Sequence, residues 1–312
     1  MQNPSSPASD QVRRFIVENR PVRGHWVRLD SAWRELCAHA EYPLPVRELL
    51  GQAVAASVLL AATLKFRGTL TLQLQGDGAV SLLVAQCTHD FRLRAVARFE
   101  ESAVAAIASA PQRDARIFRQ LVGRSGQVAV TIEADERSAR YQGIVPLSGG
   151  SLADSLEAYF ATSEQLPTRV ILAADSKCGA GVLVQKLPGP SNADESELEA
   201  TWNDAQRGIE SLSAADLLEC PVEELLERGF AAQDLRLFRG SPVQFQCRCS
   251  PGRVVGLLRA LGADEVRDVL REQGAVTVTC EFCHRPYKFD AVDVESLFAT
   301  GPDSTEGSPS LH

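Results

Sequence analysis

Four cysteines near the C-terminal end of the sequence have the clearest potential for chemistry. They form a C-x-C pair, Cys247 and Cys249, and a C-x-x-C pair, Cys280 and Cys283. Four thiolates can fill the tetrahedral coordination of a single zinc ion, which is redox-inert and suits an all-sulfur site. We therefore predict that these four cysteines are the ligands of one structural Zn²⁺ ion.

Structural disulfides are a competing interpretation, but they are typical of exported proteins. The N-terminal segment contains no continuous apolar stretch followed by a small-residue cleavage site, so we expect no export signal. The longest weakly polar run, residues 53–64, is shorter than the roughly 20 apolar residues that cross a bilayer, so we also expect no membrane segment. The predicted location is the cytoplasm, where closely spaced cysteines more often bind metal than form crosslinks.

Other cysteine chemistries fit these residues less well. The segment from Cys280 to His284 matches the C-x-x-C-H pattern of c-type haem attachment, which requires export and leaves the C-x-C pair unexplained. A thioredoxin-type dithiol places its first cysteine at a helix N-terminus, whereas Cys280 follows a predicted strand. A catalytic zinc keeps one coordination position open, which four thiolates would fill. Unligated core cysteines are the simplest alternative, although two close pairs are uncommon by chance.

The remaining cysteines and the histidines give no comparable signal. Four isolated cysteines are interpreted as small buried hydrophobic residues: Cys37, Cys87, Cys178 and Cys220. His25, His39 and His89 have no evident partners in the sequence. The glycine-rich segment 177–181 lacks the G-K-[ST] ending of a phosphate-binding loop, and neither G-x-S-x-G nor H-E-x-x-H occurs. We therefore predict no catalytic residues and no enzyme activity.

Acidic residues are concentrated in one part of the chain. Residues 188–234 contain twelve Asp or Glu and only two basic residues, whereas the whole chain has a net charge of -8. Neither this segment nor the rest of the chain has a basic surface that would attract phosphates. Nucleic acid is therefore not an expected partner.

The elements that position the cysteines follow from hydrophobic periodicity. Residues 46–66 are apolar on nearly all sides and predict a buried central helix, and Ser31 is placed to cap a shorter helix before it. Strands are predicted at residues 13–18, 25–29, 70–75, 79–87, 91–99, 127–134, 140–145, 168–173 and 181–187. The expected fold class is α+β, with a mixed α/β core domain built on a mainly antiparallel sheet.

Composition divides the chain into four predicted segments. They are an α/β core domain at 1–187, an acidic helical linker at 188–242, a zinc-binding domain at 243–290 and a flexible tail at 291–312. In the linker, Ser213 with Asp216 can open one short helix, and Pro221 can begin another that Gly229 closes. Isolated helices shorter than about 12 residues are marginal in water, so we expect the linker helices to lie on the core domain.

The cysteine segment is too small to fold on apolar burial alone, so a bound metal would supply the missing stability. Ser250 can cap a first helix that Gly262 ends, and Asp264 can begin a second helix. Residues 276–279 then predict a strand that leads into Cys280, with a return strand at 287–289. This arrangement is typical of a zinc ribbon or zinc finger.

Several segments resemble one known family. These are Tyr141-Gln-Gly-Ile-Val-Pro-Leu147, Ser151-Leu-Ala-Asp-Ser-Leu-Glu-Ala-Tyr-Phe160, Ser163-Glu-Gln-Leu-Pro-Thr168, and Gly76-Asp-Gly78 followed by Ser81-Leu-Leu-Val84. Together with the two cysteine pairs, they resemble the heat-shock protein 33 family of redox-regulated holdase chaperones. The resemblance extends over nearly the whole sequence, and all four family ligand positions hold cysteine here.

The resemblance implies an ATP-independent molecular chaperone that is inactive when reduced and zinc-bound. Oxidation would form disulfides, release zinc, and unfold the C-terminal domain and the linker. The resemblance also implies that the disulfides pair Cys247 with Cys249 and Cys280 with Cys283, and that the oxidised protein is a homodimer. The opened form would bind unfolding proteins under oxidative stress and prevent their aggregation. Linker residues such as Trp202 would become exposed in that form.

Two other classes of function remain as alternatives. A zinc-ribbon regulatory module in transcription or translation would fit the cysteine spacing, but it would need a basic nucleic-acid surface. An enzyme would need an acid-base or nucleophile constellation in the core domain. The activating oxidant, the client-binding surface and the oligomeric state of the reduced form do not follow from the sequence.

Overall fold

The computed structural model describes residues 10–109, 116–134, 140–189, 194–231 and 233–299. Its contacts divide the chain into two compact units, Met1–Gln246 and Cys247–His312, here called unit 1 and unit 2. The strands are β1 Gln11–Val17, β2 Val22–Leu29, β3 Gly68–Gln75, β4 Val80–Thr88, β5 Arg92–Phe99, β6 Gln127–Ala134, β7 Arg140–Pro146, β8 Thr168–Ala174, β9 Gly179–Lys186, β10 Leu235–Leu237, β11 Ser241–Pro242, β12 Gln244–Phe245, β13 Val276–Thr279 and β14 Pro286–Phe289. The helices are α1 Ser31–Cys37, α2 Leu44–Thr63, α3 Glu101–Ala108, α4 Arg116–Val122, α5 Leu152–Tyr159, α6 Glu195–Glu210, α7 Ala214–Glu219, α8 Val222–Phe230, α9 Pro251–Leu261, α10 Ala263–Gln273 and α11 Ala291–Ala299.

The described residues of unit 1 form two sheets. The first, called sheet A, has the order β10-β1-β2-β9-β8, with β11 also paired to β1. The second, sheet B, has the order β12-β5-β4-β3-β6-β7. Every pairing in sheet A is antiparallel, and in sheet B only β12 pairs in parallel, with β5. The expected mixed α/β fold with mainly antiparallel strands is confirmed.

Helix α2 is the central core element that the apolar sequence predicted. It contacts strands of both sheets, and residues such as Val46, Leu50 and Leu59 are fully buried. In length and hydropathy α2 could also cross a membrane, but 78% of its apolar window is buried inside the protein. Burial of this kind is what a core helix requires, since each buried aliphatic side chain contributes about 1.5–3 kcal/mol.

The N-terminus of α1 differs from the prediction. Ser31 is the first helical residue, and its expected role as the cap is wrong, because Asp30 occupies the N-cap position without making a side-chain cap bond. The carboxylate of Asp10 instead accepts hydrogen bonds from the backbone N–H groups of Asp30, Ser31 and Ala32, at 2.9–3.0 Å. A residue distant in sequence therefore satisfies the free amides of this helix.

The helices of the predicted linker pack on sheet A. Leu217 of α7 and Leu225 of α8 are buried in one cluster with Phe15 of β1, and the rings of Phe15 and Phe230 lie 5.5 Å apart edge to face. Side chain and backbone of Ser213 and Asp216 form the predicted capping box of α7. The acidic helices are thus part of unit 1, and unit 1 ends only at Gln246.

Unit 2 is a small α/β module. Helices α9, α10 and α11 surround the two-stranded sheet β13–β14, and the six buried members of its core are Val254, Leu258, Val266, Val276, Tyr287 and Val294. The predicted flexible tail is wrong for residues 291–299, which form α11 because Val294 is fully buried. Residues 300–312 lie outside the described residues. At the other end, residues 243–246 belong to unit 1, where β12 pairs with β5.

Candidate metal centre

Each cysteine pair lies at a tight backbone feature of unit 2. Cys247 and Cys249 immediately precede α9, whose N-cap Ser250 accepts a hydrogen bond from the backbone N–H of Arg253. The second pair lies in the turn between β13 and β14. This turn is closed by backbone hydrogen bonds from Cys280 N–H to the Arg285 carbonyl, at 3.0 Å, and from His284 N–H to the Cys280 carbonyl, at 2.8 Å.

The turn has the form of a zinc knuckle. His284 adopts a left-handed conformation with φ of 51°, which reverses the chain directly after Cys283. Both sulfurs of the pair can then point to the same side of the turn, as ligands of one ion require. The helix cap and the knuckle are local structures. The antiparallel pairing of β13 with β14 holds the two ends of the knuckle together.

The four cysteine sulfurs converge on one point. All four Sγ atoms lie within 4.8 Å of one another, with 3.6 Å between Cys247 and Cys280 and 3.4 Å between Cys249 and Cys283. With Zn–S bonds of about 2.3 Å, a tetrahedral site separates its sulfurs by about 3.8 Å. The sulfur set therefore fits a metal ion such as zinc, and its donor chemistry suits zinc better than calcium or magnesium.

Backbone amides and burial set the ionisation of these thiols. Burial raises the pKa of Cys247, and the N–H of Cys249 opposes this by interacting with the Cys247 sulfur. Burial likewise raises the pKa of Cys283 to about 12, against the opposing N–H of Arg285. Thiols with raised pKa values ionise poorly by themselves, so a bound cation would be needed to hold both as thiolates.

Tyr287 is a neighbour of the site that sequence reasoning assigned only to a strand. Burial raises the pKa of Cys249, but interactions with Tyr287 and the other three cysteines outweigh burial and lower the pKa to about 7. The Tyr287 hydroxyl is buried, and it approaches the sulfur without completing a hydrogen bond of ordinary geometry. A thiolate ligand is a better acceptor than a thiol, so this hydroxyl is placed to support a metal-bound Cys249.

The other four cysteines lie apart from this cluster. Cys87 and Cys178 are buried, and Cys37 and Cys220 are half-buried. Burial raises the pKa of each, to about 11 for Cys37 and to about 12 for Cys178. Thiols with such pKa values are poor nucleophiles and are slow to oxidise. Cys87 and Cys178 thus match the prediction of small buried residues, whereas Cys37 and Cys220 are only partly buried.

The histidines have partners that the sequence did not reveal. His25 is buried, with Nδ1 3.5 Å from the Thr63 hydroxyl. The His39 ring packs against Phe245, and His89 Nδ1 accepts a hydrogen bond from a backbone amide. None of the three lies in a cluster of metal ligands among the described residues. All of these contacts are made within unit 1.

Comparisons with known proteins agree with this architecture. The family model described as Hsp33 protein matches residues 10–290. Proteins named 33 kDa chaperonin from Methylobacillus flagellatus and Nitrosococcus oceani are each 40% identical to this chain, over 293 and 289 residues. These matches cover 94% and 93% of this chain, and 95% and 94% of the two relatives.

A solved structure has the same fold. The crystal structure of the 33 kDa chaperonin from Thermotoga maritima matches with a TM-score of 0.76 at 22% identity, covering 93% of this chain and 98% of that one. The structural match and the sequence matches both extend over nearly the whole length. This chain belongs to the Hsp33 protein family.

Proposed function

We propose that this protein is an ATP-independent holdase chaperone of the cytoplasm, inactive when reduced and zinc-bound and activated by oxidation. The observation that carries the proposal is the convergence of four cysteine sulfurs within 4.8 Å in a unit with only a small apolar core. Family membership and the names of the relatives, 33 kDa chaperonin, support chaperone activity. Zn²⁺, when bound, would hold Cys247, Cys249, Cys280 and Cys283 as thiolates and crosslink the two halves of unit 2.

Thiolates are the oxidisable form of cysteine, so four metal-bound thiolates would be ready to react with an oxidant. With hydrogen peroxide, two thiolates give up two electrons to form one S–S bond, while the O–O bond breaks and two hydroxide ions leave. We propose that the disulfides join Cys247 to Cys249 and Cys280 to Cys283, as the family resemblance implies. Each disulfide removes two ligands, so the metal is lost.

Loss of the metal would unfold unit 2. Structural zinc contributes about 10–16 kcal/mol to the folding of small metal-binding modules. This exceeds what six buried side chains can provide once chain entropy is counted. We therefore expect the oxidised form of unit 2 to be unfolded.

The acidic helices of unit 1 would supply the client surface. Trp202, Leu217 and Leu225 are buried there in the cluster that includes Phe15. Helices α7 and α8 are short and would be marginal if they left the sheet. Their release would expose apolar surface able to hold non-native chains, and their acidic residues would keep the opened form soluble. The partners would be unfolding proteins, and a second copy in the oxidised state.

The test compares the reduced and the peroxide-treated protein. A client that unfolds on heating is followed by light scattering, and released zinc is measured with a chromogenic chelator in the same samples. We expect aggregation to be suppressed only after treatment, in step with zinc release. A matched control is Cys37→Ser, which changes a half-buried thiol outside both the metal cluster and the apolar cluster under the acidic helices. Equal suppression by reduced and oxidised protein would overturn the proposed regulation.

A further inference from the structure

The outer edge of β1 is covered by the segment that leads toward the cysteines, residues 234–242, here called the edge cover. Phe15, Ile16 and Val17 pair with Leu237, Arg236 and Leu235, and Gln11 and Val12 pair with Pro242 and Ser241. The edge cover thus extends along almost the full length of β1. On its other side β1 pairs with β2 over residues 11–16, which keeps β1 in the sheet independently of the edge cover.

The backbone register of the edge cover is defined by two hydrogen bonds. Glu18 N–H donates to the Asp234 carbonyl at 2.8 Å, and Phe238 N–H donates to the Arg14 carbonyl at 2.9 Å. Bonded and non-bonded pairs alternate in an antiparallel ladder, so Arg236 is also at a bonded position. The N–H groups of the intervening Leu235 and Leu237 point away from β1.

The edge cover is held more weakly than the interior strands. Its paired parts are only the three residues of β10 and the two of β11, with residues 238–240 between them. Pro242 has no N–H to donate, and Arg236, Arg239 and Pro242 are exposed. Segments with few buried contacts and short ladders open at low free energy.

The opposite edge of sheet A is protected in another way. There the carboxylate of Glu157 accepts a hydrogen bond from the N–H of Val170 in β8 at 2.8 Å, and also pairs with Arg169 at 2.6 Å. Glu157 belongs to α5, so a helix lies over this edge and satisfies one of its amides, which discourages pairing with another chain. The edge of β1 instead carries a removable strand of the protein's own sequence.

Side chains around the edge cover define what could replace it. Leu235 and Leu237 pack against the apolar cluster of α8 and sheet A, and with Leu226 and Phe230 they line a cavity of about 460 Å³. Phe238 lies under the guanidinium of Arg14, 5.2 Å from the ring centre. The edge therefore suits an extended segment with apolar side chains at alternate positions followed by an aromatic residue.

We propose that β1 is a strand-addition site: when the edge cover leaves, the exposed edge pairs with an extended segment of an unfolding polypeptide. The inference rests on the proposed function for the event that removes the edge cover, since Cys247 follows Pro242 closely in the sequence. It adds a backbone-directed mode of client recognition to the apolar surface. The backbone hydrogen bonds need no particular client sequence, and the surrounding side chains add only a preference for apolar segments, as a general chaperone requires.

A labelled peptide with the sequence of residues 234–242 tests the site by fluorescence anisotropy. We expect it to bind the peroxide-treated full-length protein at least about tenfold more tightly than the reduced protein. In the reduced protein the edge cover already forms the backbone hydrogen bonds that the peptide would need, and breaking them is costly. N-methylation at the positions of Arg236 and Phe238 should abolish binding. N-methylation at Leu235 and Leu237 should leave binding nearly unchanged, because those amides face away from β1.

A variant of the edge cover makes the test independent of oxidation. Arg236→Pro removes a bonded N–H, and Arg236→Ala removes the same side chain and its ion pair with Glu18 but keeps the N–H. We expect the reduced Arg236→Pro protein to bind the peptide and the reduced Arg236→Ala protein to resemble the unmodified chain. An unfolding client should displace the bound peptide.

The possible results separate this inference from the proposed function. If peroxide releases zinc but the peptide binds neither the oxidised protein nor reduced Arg236→Pro, strand addition is wrong and the redox mechanism stands. If peroxide releases no zinc, the proposed function fails. Peptide binding by the reduced Arg236→Pro protein then tests strand addition by itself. If the peptides N-methylated at Arg236 and Phe238 bind as well as those N-methylated at Leu235 and Leu237, strand addition is wrong. Oxidised dimers that exclude the peptide would also overturn it, since a second copy would then fill the edge.

Discussion

The Sγ atoms of Cys249 and Cys283 lie 3.4 Å apart, although 34 positions separate the two residues in the sequence. One cysteine precedes α9 and the other lies in the β13–β14 turn, so an ion between them would fasten the start of unit 2 to its sheet. This relationship links metal content directly to folding, and it leads to the first prediction.

Loss of a residue that hydrogen-bonds a metal ligand typically lowers metal affinity by about 10–100-fold. Cys283→Ser removes a ligand itself, so we expect a larger loss of zinc affinity. It should also unfold unit 2 while leaving the two sheets of unit 1 folded around α2, because that core and unit 2 have separate apolar clusters. Zinc content is measured by elemental analysis and folding by two-dimensional NMR. Cys87→Ser, in the core of unit 1, is the control and should retain zinc. Unchanged zinc affinity in Cys283→Ser would contradict the site.

Tyr287→Phe tests whether the buried hydroxyl supports Cys249. The ring remains in the core of unit 2, so the fold should be kept, while zinc affinity falls by about tenfold and peroxide releases zinc faster. The reason is that a thiolate without its hydroxyl neighbour is more nucleophilic and less well stabilised. Affinity is measured by chelator competition, and the thiolate environment by the absorption of the cobalt-substituted protein.

The matched control for Tyr287→Phe is Thr277→Val. It removes a hydroxyl from an exposed position of the neighbouring strand β13. We expect its zinc affinity, oxidation rate and cobalt spectrum to equal those of the unmodified chain. If Tyr287→Phe behaves like Thr277→Val in all three measurements, the hydroxyl has no role at the metal centre.

Gly208→Ala should open the acidic helices without oxidation. A Cβ atom at Gly208 would lie 1.8 Å from the carbonyl oxygen of Gly229, so α6 and α8 would have to move apart. Such overpacking costs about 1–3 kcal/mol. We expect the reduced variant to bind more of a hydrophobic dye and to suppress client aggregation in part, with zinc still bound.

Gly256→Ala is the control for this change. It lies within α9, where a Cβ would meet nothing within 4 Å, so the substitution should be tolerated and should leave the reduced protein inactive. A Gly208→Ala protein as inactive as this control would show that separating α6 from α8 does not expose the client surface.

The buried His25 should make unit 1 less stable in mild acid. Burial, together with the nearby Arg23 and Arg14, lowers the pKa of His25 to about 3, against about 6.5 in an unfolded chain. Between these values the unfolded state binds the additional proton, so stability falls as pH decreases below about 6.5, by up to about 1.4 kcal/mol per pH unit.

Replacing His25 with Gln isolates this contribution. Denaturant unfolding of unit 1 is measured between pH 5 and pH 7 for both proteins, and the unmodified chain should show the steeper pH dependence. Gln approximates the size of the imidazole and does not ionise. Equal slopes for the two proteins would mean that His25 binds its proton as readily in the folded state as in the unfolded state.

Local sequence signals predicted the elements whose stability is local. The capping box of Ser213 and Asp216 forms as expected, because its hydrogen bonds join residues three positions apart. The continuous apolar pattern of α2 predicted its burial. Conversely, Asp10 caps α1 although it lies 20 positions before Asp30 in the sequence. No local pattern could indicate that Asp10, and not Ser31, has this role.

The sequence by itself determined that four thiols with metal-binding spacing lie in a segment too small to fold on its own core. Spacing and residue type are sufficient for that conclusion, since coordination chemistry restricts which side chains can bind an ion. Only the tertiary structure decided that Tyr287 approaches Cys249 and that residues 234–242 cover the edge of β1. Both depend on contacts between segments distant in the chain, which no local pattern specifies and which the packing of the whole unit selects.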